Sequence, residues 1–162
     1  MKMRSILFSS VLPLVWLGVV TPVCADVVVE SPWVREAPPT AKMLASYMVL
    51  RNNGDSVEVL KGATAKGFNQ VEIHLTTVKD GVASMEAQES LSIPAQGSVS
   101  LAPGGYHLML IEGDHPLKEG ETVKLSLQFN DEKTIDVEAP VRKDATAPEG
   151  HGGHLHHKSP HD

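Results

Sequence analysis

Between Asp26 and about Arg142, short apolar stretches alternate with polar turn clusters, and no segment sustains a helical period. Turn signals that recur every roughly eight to twelve residues predict an all-β sandwich or barrel. Candidate strands cover residues 27–34, 46–52, 57–63, 70–78, 83–87, 98–101, 106–112, 122–129 and 134–138. Between them lie Asn52-Asn53-Gly54-Asp55, Lys79-Asp80-Gly81, Pro103-Gly104-Gly105 and Asn130-Asp131-Glu132-Lys133, residue types that tolerate or preset turn backbones. Hairpins are expected at these points. Only residues 38–44 offer a place for a helical turn.

Alternation also assigns faces, since residues i and i+2 of a strand share one side. Val71, Ile73 and Leu75 therefore point one way, and Glu72, His74 and Thr76 the other. In Tyr106-His107-Leu108-Met109-Leu110, the inward set is Tyr106, Leu108 and Leu110, which leaves His107 and Met109 side by side on the outer face. Met85 sits between Ser84 and Glu86, just past the Lys79-Asp80-Gly81 turn that carries its strand back toward His74. Two imidazoles and two thioethers are thus expected to converge at the protein surface. Taken singly, each has an ordinary explanation, because exposed histidines are common and methionine fills gaps in cores.

The two ends of the chain differ from this middle. Lys2 and Arg4 precede an apolar run from Ile6 to Val20, and Val23-Cys24-Ala25 follows. That is the pattern of a cleaved secretory signal over residues 1–25. Pro13 interrupts the run, which falls short of the roughly 20 apolar residues a membrane span needs. Lipidation at Cys24 is disfavoured by Val23, which is larger than the small residue expected before a lipidated cysteine. Cleavage after Ala25 removes the single cysteine, so no disulfide is available in an oxidising compartment. It also removes Lys2 and Arg4, which takes the formal net charge from -6 to -8. An acidic protein is a poor partner for nucleic acid and a fair one for cations. Residues 26–142 form one domain, as 41% hydrophobic and 21% charged content allow. Residues 143–162 have almost no large apolar side chain and should form a flexible tail. His151, His154, His156, His157 and His161 fall there, five of the eight histidines, a composition that reads as binding copper(II), zinc or nickel. His115, in Gly113-Asp114-His115-Pro116, reads as a turn residue.

His74, ten residues, Met85, 21 residues, then His107-Leu108-Met109 resembles the periplasmic copper chaperones of the PCu(A)C family in both identity and spacing. A preset four-residue pattern of this kind arises by chance in about one chain in a thousand or fewer. Ser92-Ile93-Pro94-Ala95, Pro103-Gly104-Gly105-Tyr106 and Pro116-Leu117-Lys118-Glu119-Gly120 are similar to that family's segments around the site, and the likeness spans roughly residues 27–141. One departure is Leu75, where many members carry methionine; position 75 should face inward. The resemblance implies a cupredoxin-like, Greek-key β-sandwich in the periplasm, a monomer, with His74, Met85, His107 and Met109 holding one copper(I). It implies delivery to the dinuclear copper centre of cytochrome c oxidase, through its subunit II or another assembly factor.

The ligand types fit that cargo. Thioether sulfur is soft and uncharged, so it favours copper(I) over hard cations, whereas imidazole suits several transition metals. A blue electron-transfer site needs a cysteine thiolate, which the cleaved chain lacks. No nucleophile elbow, phosphate loop or paired carboxylates point to an enzyme. Copper storage or resistance, as a buffer of copper(I) and copper(II), uses the same ligands and is the alternative to delivery.

Overall fold

The structure, a computed structural model, describes residues 27–143. Residues 1–26, including the proposed signal, and the histidine-rich residues beyond Lys143 lie outside the described residues. Ten strands account for most of the rest: β1 (Val27–Arg35), β2 (Met43–Asn52), β3 (Glu58–Ala65), β4 (Phe68–Lys79), β5 (Val82–Gln88), β6 (Leu91–Ile93), β7 (Gly97–Leu101), β8 (Tyr106–Gly113), β9 (Thr122–Phe129) and β10 (Thr134–Arg142).

The strands form one hydrogen-bonded series in the order β5-β4-β8-β7-β2-β1-β10-β9-β3-β6, with β8 also pairing β2. β10 joins the two layers. From Thr134 to Pro140 it pairs antiparallel with β9, and at Val141 and Arg142 it runs parallel to Val34 and Arg35 of β1. Leu44, Leu50, Ile73, Leu108 and Leu110 from one layer share a core with Leu60, Val123, Leu125 and Leu127 from the other. Burying each such side chain contributes about 1.5–3 kcal/mol of transfer free energy. The all-β sandwich with non-sequential neighbours is therefore the fold that the turn spacing predicts.

Three local features depart from the sequence reading, and two of them shape the functional face. First, residues 38–44 hold no helical turn. The Ala41 N–H donates to the Pro38 carbonyl at 2.8 Å in a tight turn, and β2 begins at Met43 rather than Ser46. Second, β1 carries a bulge between Glu30 and Trp33, with Ser31 at φ 49°. Proline cannot donate to a ladder and is tolerated at such a bulge, and Pro32 sits there. The extra residue moves Trp33 away from the core face and opposite Tyr47. Third, β6 escapes a period-2 reading because it is only three residues long. Asn52, fully buried, holds it in place: its Nδ2 donates to the carbonyls of Ser56 (2.7 Å) and Ile93 (3.2 Å), and its Oδ1 accepts from the Gly54 N–H at 2.9 Å.

Candidate metal centre

β4 supplies the frame of the site. Its pairing with β8 sets His74 directly opposite His107 and Glu72 opposite Met109. Directly paired residues lie on the same side of a sheet, so all four share the face that looks away from Ile73, Leu108 and Leu110. The two imidazole centroids are 5.8 Å apart and tilted by 50°. With metal–nitrogen bonds of about 2.0–2.1 Å, two rings on one ion have centroids roughly 5–6 Å apart, so the spacing suits a shared ion.

Each ring has one nitrogen committed to an oxygen. Nε2 of His74 lies 2.7 Å from Oε2 of Glu72. A carboxylate can only accept here, so Nε2 carries a proton, and in the neutral ring Nδ1 is the nitrogen with the lone pair. That Nδ1 is buried and has no hydrogen-bond partner. Nδ1 of His107 lies 3.1 Å from the Gly105 carbonyl, which likewise assigns the proton to Nδ1 and leaves Nε2 as the base. Such anchoring of the far nitrogen fixes tautomer and ring orientation in metal-binding histidines. The Gly105 carbonyl is itself set by the predicted Pro103-Gly104-Gly105 turn. There the Gly105 N–H donates to Ala102 O at 3.0 Å, and Gly104 takes φ 82°, a backbone region that glycine enters without steric cost.

Met85 reaches the same face through the β4–β5 hairpin. Asp80 (φ 54°) and Gly81 (φ 79°) form the two-residue loop, both left-handed as a type I′ turn requires. The loop fixes the register Thr76↔Met85 and His74↔Ala87. Met85 is thus a diagonal neighbour of His74, as Met109 is on the β8 side. Diagonal neighbours lie roughly 7–8 Å apart, with their Cβ atoms somewhat closer, within reach of long side chains. The two methionines lie at opposite corners of the histidine pair. Met85 is 51% exposed on β5, an edge strand that pairs only with β4, so its arm is the least constrained part of the face. Leu75 lies opposite Tyr106 on the other side of the sheet, so a methionine there would not share this face.

The expectation that all four side chains meet at the surface needs correcting for one of them. His107 is buried, with 4% of its surface exposed. β2 continues the sheet beyond β8 and brings Tyr47 within 6.3 Å of His107, and the β1 bulge adds Trp33 at 4.7 Å from Tyr47. Alternation assigns the face of His107 but says nothing of what neighbouring strands lay over it. Burial pushes its pKa below the ordinary histidine value; the Gly105 hydrogen bond opposes this, and His74 reinforces it. A neutral imidazole is the form that binds metal.

Among the described residues, no three His, Cys, Asp or Glu side chains gather into a cage for an ion. Beside its two histidines the face carries the thioethers of Met85 and Met109. Glu72 is the functional candidate that the sequence reading left without a role, although alternation already put it on the face of His74. His115 stands apart, exposed, with Nε2 3.5 Å from Oε1 of Glu121, as suits a turn residue. His151, His154, His156, His157 and His161 lie outside the described residues.

Comparison with known proteins places these features in context. A solution structure of CuI-DR1885 from Deinococcus radiodurans is 35% identical, with a TM-score of 0.63 over 76% of this chain and 83% of that one. The apo form of the same protein is 30% identical over 90% of this chain and all of that one, with a TM-score of 0.59. A copper-bound PCuAC domain from PmoF2 shares the fold, with a TM-score of 0.63 at 22% identity, covering 74% of this chain and 95% of that one. In sequence, the chain is 34% identical over 126 residues to "Putative lipoprotein Lxx21020" of Leifsonia xyli subsp. xyli (strain CTCB07), covering 77% of this chain and 75% of the relative. The family described as "Putative lipoprotein LpqE-like" matches residues 27–141, and the chain belongs to this LpqE-like family.

Proposed function

We propose that this protein is an exported copper(I) carrier that holds one ion through His74, His107, Met109 and Met85 and passes it to another protein. The reading rests on one observation: two imidazoles face each other, each with one nitrogen anchored to oxygen and the other free, on a face that also bears two thioethers. Two neutral sulfurs select a soft monovalent ion and need lose no proton to bind it. The copper-bound and CuI-bound structures of similar fold support the same cargo. The role is binding and transfer rather than catalysis.

The recipient implied by the resemblance to PCu(A)C chaperones is the dinuclear copper centre of cytochrome c oxidase. Export is supported by the lipoprotein descriptions of the family and its relative. Among the described residues, no helix is long and apolar enough to cross a membrane. We read cleavage after Ala25 into the periplasm, because Val23 is bulky for a lipidation site at Cys24; the mass of the mature N-terminus distinguishes the two. The histidine tail is proposed to collect copper(II) near the site, a tethered ligand raising the local metal concentration.

Anaerobic titration with copper(I) against a chromogenic chelator tests the central claim. One equivalent should bind tightly, and Met85→Leu with Met109→Leu should weaken it by about a hundredfold or more, two ligands' worth at roughly tenfold each. Unchanged cuprous uptake in the double variant would refute the site.

A further inference from the structure

A third methionine occupies the functional face, and neither the spacing pattern nor the four-ligand reading uses it. β2 pairs with β8 so that Met43 stands opposite Ile111 and Ala45 opposite Met109. Met43, Ala45 and Tyr47 therefore lie on the same side as His107 and Met109. Met43 is 54% exposed and belongs to no part of the core. Its thioether is therefore open to solvent rather than committed to packing.

The register makes Met43 the diagonal neighbour of Met109, a pair type spaced about 7–8 Å apart, with the Cβ atoms somewhat closer. Two thioether arms are long enough to span such a distance with an ion between them. Ala45, opposite Met109, has only a methyl group, so no bulky side chain on β2 fills the space. Taken in order, Met85, His74, His107, Met109 and Met43 make a diagonal track across β5, β4, β8 and β2. Exposure along its second half rises from His107 (buried) through Met109 (half-buried) to Met43.

We infer that Met43 is a fifth copper(I) ligand, the exit ligand, which takes the ion from the buried histidine end through Met109 and presents it to the acceptor. The inference rests on the copper(I) reading above. The chemistry balances without an external reagent: the ion stays cuprous, and the sulfur of Met43 binds as one imidazole nitrogen lets go. Because a single thioether is a weak ligand, Met43 should govern how fast copper leaves more than how tightly it is held.

The test uses the full-length protein loaded with one equivalent of copper(I) under anaerobic conditions, with Met43→Leu as a near-isosteric, exposed substitution. Transfer to bicinchoninate should slow by about tenfold while the equilibrium affinity changes by less than about threefold. The Met43 methyl signal, observed with carbon-13 labelled methionine, should shift on loading by less than that of Met109. Equal transfer rates, or a Met43 methyl unmoved by copper, overturn the inference while leaving the four-ligand site standing. Failure of the unsubstituted protein to take up copper(I) overturns both.

Discussion

The carboxylate of Glu72 grips Nε2 of His74 at 2.7 Å and stands directly across the ladder from Met109. It therefore orients one proposed ligand while sitting beside another, and its negative charge lies close to where the proposed cation would be held. Carboxylates behind a ligating histidine raise the basicity of the ring, and their loss typically costs about 10–100-fold in metal affinity. Glu72→Gln should keep the fold, since the side chain is about one-third exposed, and weaken copper(I) by that factor in chelator competition. An affinity equal to that of the unsubstituted protein would show that the 2.7 Å contact plays no part in binding.

His107 gives the site a pH signature. Its folded pKa is depressed, chiefly by burial, relative to the ordinary value of about 6.5. The unfolded chain then binds the proton more readily than the folded one, so stability rises with pH through this window. The contribution is fully present above about pH 6.5 and is lost as pH falls toward the depressed folded value. Denaturant midpoints measured from pH 8 to pH 5 should fall less steeply for His107→Phe than for the unsubstituted protein. A proton titration of the His107 ring by NMR should place its midpoint below that of a free histidine; a midpoint above it would contradict the role of burial.

How much of this was legible in the chain depends on whether the feature is local. The face shared by Glu72 and His74, and by His107 and Met109, follows from alternation within a strand. The turn residues Asp80-Gly81 announce the hairpin that carries Met85. What alternation cannot show is what neighbouring strands cover. His107 is buried because Tyr47 arrives from β2, and Trp33 joins only because an extra residue at Ser31-Pro32 reverses its side of β1. Met43 was hidden by the placement of the β2 start, since residues 38–44 read as a possible helical turn. The bond from Glu72 to His74 is a rotamer choice, and a face assignment does not contain it.

The hairpin register offers a separate test of Met85. Gly81 at φ 79° has open space around its missing Cβ, so the cost of a side chain there is conformational rather than steric crowding. Gly81→Val forces a β-branched residue into the left-handed region, at a cost of about 1–2 kcal/mol. A one-residue slip would turn Met85 to the opposite face. Copper(I) affinity should therefore fall in Gly81→Val by much the same factor as in Met85→Leu, with no further loss when the two are combined. An unchanged affinity in Gly81→Val would mean that the turn matters for stability alone, and additive losses that it acts on binding by a route other than Met85.

Trp33 supplies an optical reading of the same face. The chain has two tryptophans, Trp16 and Trp33, and Trp16 lies within the proposed leader, so a protein cleaved after Ala25 reports through Trp33 only. Its ring is 4.7 Å from Tyr47, which is 6.3 Å from His107. An ion on Nε2 of His107 sits at the end of this short aromatic stack and should quench the indole. Fluorescence should fall linearly to one equivalent of copper(I) and then level off. His107→Ala should abolish the break, whereas deletion of the residues after Arg142 should leave it in place. If the tail deletion removes the quenching and His107→Ala does not, copper is held by the tail histidines, and the β4–β8 face is not the site.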